Sequence, residues 1–221
     1  MSQPLSNMVV NAGCLLFFHN NRMPHQDVVD TTLYAQLAAS KKHSRFTDQL
    51  HWKETWLAAA LYLGWTSQAS LHIEQPAPCA APATFWSLAH ALRPAFVSKA
   101  LLERSEANVS RLLFNHAAYT VFTDQAIGPG ATSVAMQVGV VDDDYDLTLL
   151  QLHFDCSSPL TRDRLFGPWE CGLIRGNVEF SFHRLQLSDA LYAPRRAATV
   201  AALKARRSGL VYELLCSGTT S

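Results

Sequence analysis

The sequence predicts an α+β protein, with a mainly helical N-terminal half followed by a mostly antiparallel sheet. Three observations carry this. Up to about residue 127, most apolar residues recur at helical spacing. Gly128-Pro129-Gly130 then punctuates the chain, and beyond it Val134, Met136, Val138 and Val140 alternate with smaller or polar residues as in a strand. One further helical pattern near the C-terminus separates that sheet region from a last apolar run. The expected order there is β-hairpin, strand, helix, strand. Such segregation of helices and strands is the mark of an α+β fold. The reading is one domain over residues 1–221, its helical part over about 1–127 and its sheet part over about 130–216.

The N-terminal apolar run from Met8 to Phe18 reads as a buried strand or first core segment, interrupted by Asn11. No Lys or Arg precedes it, and it is too short to span a bilayer. A helix is expected over 27–42, with Val29, Leu33 and Leu37 as its apolar stripe. Thr47 is the expected N-cap of a second helix reaching about Leu63, with Gly64 just past its end. Leu50, Trp52, Trp56, Leu57, Leu61 and Tyr62 make that helix apolar on more than one face, so a central position is expected. Residues 67–74 suggest a short strand, and the proline-rich stretch 75–83 a packed loop. A third helix starts near Thr84, and Pro94 kinks or restarts it before a long periodic segment that includes Phe96, Leu101, Val109 and His116.

After the glycines, strands are expected over 133–140 and 147–154, joined as a hairpin. A long loop over 157–172 follows. The strand over 174–187 alternates through Val178, Phe180 and Phe182, then changes phase before Leu185 and Leu187, which suggests a bulge at His183-Arg184. Pro194 is read as the first residue of the last helix and Gly209 as its end.

Composition narrows the function classes. Apolar residues make up 48% and charged residues 16%, a low charge fraction that implies much buried surface. Eighteen basic residues balance eighteen acidic ones. That balance leaves no field to attract nucleic acid, and little repulsion against self-association. The five cysteines form no C-x-x-C and have no zinc-finger spacing, so reduced thiols in a cytoplasmic protein are expected, with no cofactor. No nucleotide-binding glycine motif, no G-x-S-x-G and no H-E-x-x-H occurs.

Four patterns remain as candidate chemistry. Asp142, Asp144 and Asp146 fit D-x-D-x-D, a metal-loop pattern, but they lie between two alternating runs, where Asp is common at a hairpin tip. An EF-hand would need Gly and Glu where Leu147 and His153 stand. His153 and Asp155 share a face of one strand, and Glu179, Ser181 and His183 share a face of the next. If those strands are close, His153, Glu179 and His183 form an acid–base or metal-binding set; otherwise they are the polar face of a sheet. His51 and Glu54, with His43 upstream, have Glu/His helical spacing without the second copy that metal bundles need. Arg195, Arg196, Lys204, Arg206 and Arg207 make the last helix basic, with Arg206 and Arg207 where a helix dipole favours cations. Cys156 falls on the apolar side of its strand, which argues for an inert buried thiol. Trp169, in the loop LFGPWECG, is either an interface anchor or the centre of a packed loop.

The leading expectation is a non-enzymatic soluble protein that acts through protein–protein contact, as a homo-oligomer or with another protein, with no nucleic acid and no integral membrane segment. The alternatives are a small-molecule-binding protein or hydrolase-like enzyme using the His/Glu cluster, and a secreted effector or toxin without a signal peptide.

Overall fold

A computed structural model describes residues 7–18, 26–76, 83–110, 116–142 and 146–214. One seven-stranded mixed sheet runs through it, in the order β3-β6-β5-β4-β2-β1-β7. The fold is α+β, and the sheet is antiparallel at every pairing except that of β2 with β4.

The chain does not begin with helices. The Met8–Phe18 run forms two strands, β1 (Asn7–Asn11) and β2 (Cys14–Phe18), joined by a tight turn at Ala12-Gly13 in which Ala12 has φ 52°. Both strands sit well inside the sheet and are covered on both faces. Continuous apolar sequence is what such strands require, and this is why the turn reads as an interruption. Two side chains and one backbone carbonyl of α1 (Gln26–Lys42) answer the buried polar groups of the turn. Asn11 donates to Val29 O and Thr32 Oγ1, while Gln36 donates to Asn11 O and accepts from Gly13 N.

Helix α2 (Gln49–Tyr62) starts one residue later than the sequence suggests, with Asp48 and not Thr47 at its N-cap position. Gly64 follows with φ 96°, the left-handed conformation expected of a glycine there. The helix is not central. Trp52, Trp56 and Ala60 are buried against the sheet, whereas Leu50, Leu61 and Tyr62 face solvent. β3 (Trp65–Pro76) is longer than expected and forms one edge of the sheet. α3 (Phe85–Leu92) opens on Thr84 with a reciprocal capping box to Ser87, ends before Pro94, and is followed by α4 (Lys99–Val109) and α5 (Ala117–Ala126).

The second half supplies β4 (Ser133–Val141), β5 (Asp146–Cys156) and β6 (Ile174–Leu187), a meander as the alternation suggests. The bulge expected at His183-Arg184 is not in β6. It lies across from it, between Ser67 and Ala69 of β3, and a second irregularity falls between His153 and Asp155 of β5. The apparent change of phase has another cause: Phe180 and Phe182 belong to one apolar core and Leu185 and Leu187 to the other, on opposite faces of an unbroken strand. Helix α6 (Asp189–Leu210) begins five residues before Pro194, on Ser188 as N-cap, and runs through Gly209. Tyr192 in its first turn is fully buried, and burial of that ring outweighs the hydrogen bond that Pro194 forgoes. β7 (Val211–Leu214) then closes the sheet beside β1.

Two cores result. α3, α4, α5 and the 157–173 loop pack on one face, and α1, α2 and the start of α6 on the other. The basic helix α6 is tied to α1: Arg196 makes a forked pair with Asp27, and Arg207 pairs with the buried Asp30. Among the described residues, no helix is long and apolar enough to cross a membrane.

Replacing Gln36 with Ala should strand the buried Asn11 carbonyl and the Gly13 amide together. A loss of about 2 kcal/mol in urea unfolding is expected, more than a single exchanged hydrogen bond is worth.

Candidate functional site

Alternation along β5 and β6 turns Gln151, His153, Glu179, Ser181 and His183 toward the face that α2 covers. The register then sets neighbours: His153 stands opposite Glu179, Gln151 opposite both Ser181 and Gln137, and His72 of β3 opposite Ser181. The result is a polar strip across four strands, continuous with an apolar area at Leu147, Leu149, Leu185 and Leu187 on the same face.

Two members of the expected set come together. His153 Nδ1 lies 3.7 Å from Glu179 Oε1, a long ionic contact, and Lys53 Nζ of α2 reaches Glu179 Oε2 at 3.1 Å. The His153 contact lowers the Glu179 pKa most; burial opposes this and Lys53 adds to it, leaving the carboxyl at about 2. Burial also lowers the Lys53 pKa, with Glu179 resisting. With Nδ1 turned to the carboxylate, Nε2 is the ring nitrogen that faces away from Glu179. That Nε2 is buried and has no partner among the described residues.

His183 is not part of this group. It stands opposite Leu149, and its Nδ1 pairs with Ser70 Oγ at 3.1 Å. Burial first, then Lys53 and His72, push its pKa down to about 4, so it is neutral at physiological pH. Asp155 lies beyond the irregularity in β5 and pairs with Arg175.

Behind the strip the site narrows to a cavity of about 10 Å³, the size of one water, bounded by Arg45, Gln49, Lys53, Gln137 and Gln151. Gln137 and Gln151 are 2% and 3% exposed, and neither side-chain amide has a partner among the described residues. Arg45 is buried without a carboxylate. It donates to Gln125 O and lies over the Trp52 ring, and burial pulls its pKa down to about 10, still a cation at neutral pH. A side chain at Gly13 would strike this guanidinium, its Cβ falling 2.0 Å from Nη1, so glycine there makes room for the arginine. In front, the strip opens into a cleft of about 780 Å³ between the start of α2 and the sheet, lined by His51, His72, His153, Asp155, Arg175 and Glu179 among others.

The other candidates fall outside this cleft or take structural partners. Asp142 closes the β4–β5 hairpin, its Oδ1 accepting from Asp146 N, and Asp146 takes Arg184 on its Oδ2. Asp144 lies outside the described residues. Trp169 is 2% exposed, packed on Phe154, with its indole donating to Arg164 O. In this fold it is the centre of a packed loop. Burial raises the Cys156 thiol to about 11, which leaves it protonated and unreactive. His51 turns to Asp48 and not to Glu54.

Lys53, Arg45 and Gln137 were not foreseen from sequence as members of the site. One signal for Lys53 was there: it precedes the buried Trp56 by three residues, which puts a cation on the inward face of the helix beside the tryptophans. No family model matches the chain, and a search of curated proteins returns no match.

Two limbs of acid sensitivity follow. Unfolded His183 takes up a proton near 6.5 but folded His183 only near 4, so stability should fall as pH drops through that window. Glu179 holds its charge to about 2 against an ordinary 4.5, so it adds a second loss between those values. Urea midpoints measured against pH should show both limbs, with His183→Gln flattening the upper and Glu179→Gln the lower. Separately, Lys53→Met alone should cost about 2 kcal/mol by leaving Glu179 short of its cation, and Lys53→Met with Glu179→Gln less than the sum of the two single changes.

Proposed function

We propose that this protein binds a small, uncharged or zwitterionic polar molecule in the cleft between α2 and the sheet. The observation that carries this reading is the concentration of buried polar groups without a protein partner at one place: His153 Nε2, both heteroatoms of Gln137 and Gln151, and Arg45 Nε. Native proteins leave few such groups, because each costs about 1–3 kcal/mol when unsatisfied. Their gathering behind a cleft of ligand size supports a binding role. Lys53 is paired with Glu179 and Arg175 with Asp155, while Asp48 and Glu74 also line the cleft and the Arg45 cation lies buried behind it, a spread of both signs that suits an uncharged or zwitterionic molecule. A thermal-shift panel of free amino acids and monosaccharides tests this. At a hundredfold excess over Kd, the binder should stabilise the protein by about 2.7 kcal/mol. The stabilisation should vanish in Lys53→Met with Glu179→Gln, a pair of changes that keeps the net charge. No stabilisation by any member of the panel would count against the reading.

Self-association is a second reading, favoured by the outer face of α2. Leu50 is 65% exposed and Tyr62 61% exposed, with Leu61 beside Tyr62 and Leu191 of α6 also open to solvent. Leu50 and Leu61 lie eleven residues apart, three helical turns, on that face, and the chain carries no net charge to oppose contact. Sedimentation velocity should show a dimer that Leu50→Glu with Leu61→Glu converts to monomer. A wild-type monomer at high concentration removes this reading and leaves the first intact.

A further inference from the structure

The turn between α1 and α2 gathers three ligand-type side chains at the rim of the cleft, apart from the His153, Glu179 and Lys53 group. His43, just past the end of α1, places Nδ1 2.8 Å from Asp48 Oδ2, and His51 in the first turn of α2 places Nδ1 2.5 Å from Asp48 Oδ1. The two imidazoles stack with centroids 5.4 Å apart and planes 28° from parallel. One ligand atom from each of the three residues lies within 4.8 Å of the other two. The carboxylate is held away from its ordinary task. An Asp at a helix N-cap normally accepts from an amide of the first turn, yet Asp48 occupies the N-cap of α2 and makes no such bond.

We propose that His43, Asp48 and His51 form a binding site for a divalent transition-metal ion of the zinc class. Two imidazole nitrogens and one carboxylate oxygen suit zinc, nickel or cobalt, whereas magnesium and calcium prefer oxygen throughout. Ligand atoms around tetrahedral zinc lie roughly 3.3 Å apart, from bonds of about 2.0–2.1 Å. The two histidine–aspartate contacts, 2.8 and 2.5 Å, are shorter than this, so the imidazoles must open from the carboxylate by about 0.5–0.8 Å, and His51 is an exposed side chain free to do so. The positive end of the α2 dipole opposes a cation here, at about half an elementary charge, and the full charge of Asp48 outweighs it. Arg45, two residues from His43, is turned into the core under Trp52. Coordination uses the Nδ1 lone pairs, so the ion takes the place of the two hydrogen bonds to Asp48. Three protein ligands leave a further coordination position, and Asp48 and His51 both line the cleft.

The test is calorimetric titration of the full chain, free of any histidine tag, with zinc chloride and separately with magnesium chloride. One zinc per chain and no response to magnesium are expected. His51→Ala and Asp48→Asn should each weaken zinc binding at least about tenfold, since loss of a ligand costs no less than loss of its outer-shell support. Far-ultraviolet circular dichroism should stay unchanged in both, and His90→Ala, remote from the turn, should bind zinc as the wild type does. Absence of zinc binding by the wild-type chain, or an affinity unchanged in either variant, overturns the proposal and leaves a hydrogen-bonded turn. None of these residues is Lys53, His153 or Glu179, so failure here does not touch the small-molecule reading.

Discussion

The parallel pairing of β2 with β4 is the constraint on which the rest of the structure depends. Parallel neighbours cannot be joined by a tight turn, so the chain must travel back across the sheet between them. The connection holds α1, α2, β3, α3, α4 and α5. It covers one face of the sheet with the α1–α2 pair, leaves β3 as the far edge, and covers the other face with α3 to α5. β4, in the middle, is buried at every position.

Two-sided burial changes what a polar residue on a strand means. On an open sheet, Gln137, Gln151 and Glu179 would face water and need no explanation. Under α2 they face protein, and each needs a partner or a reason. Lys53 meets Glu179 because it lies on the inward side of that helix. Arg45 enters the interior from the turn before it, through space kept by Gly13. The α2-covered face therefore has two parts. The leucine-rich part holds the helix down, and the polar part, which a uniformly apolar face would replace at no loss of stability, opens to the cleft.

Much of the local structure was legible. α1, α3 and the β4–β5–β6 meander follow from periodicity and capping chemistry, whereas alternation gives only the strand faces of His153 and Glu179, and the register that sets them opposite each other is tertiary. The errors have two origins. β1 and β2 lost their alternation because both faces are covered, and the end of β6 seemed to slip because its two faces feed different cores. α2 looked central because an exposed leucine and a buried one are written with the same letter.

What the sequence determined by itself is whatever depends on residues a few positions apart: helical and strand periods, the left-handed glycine after α2, and the side of a strand on which each residue falls. Only the tertiary structure decided which elements are neighbours. Lys53 and Glu179 are 126 residues apart, and Arg45 is 80 from the carbonyl it bonds. No local spacing encodes such contacts, because they arise from the route the chain takes between two parallel strands. That route is chosen by the burial of both faces at once.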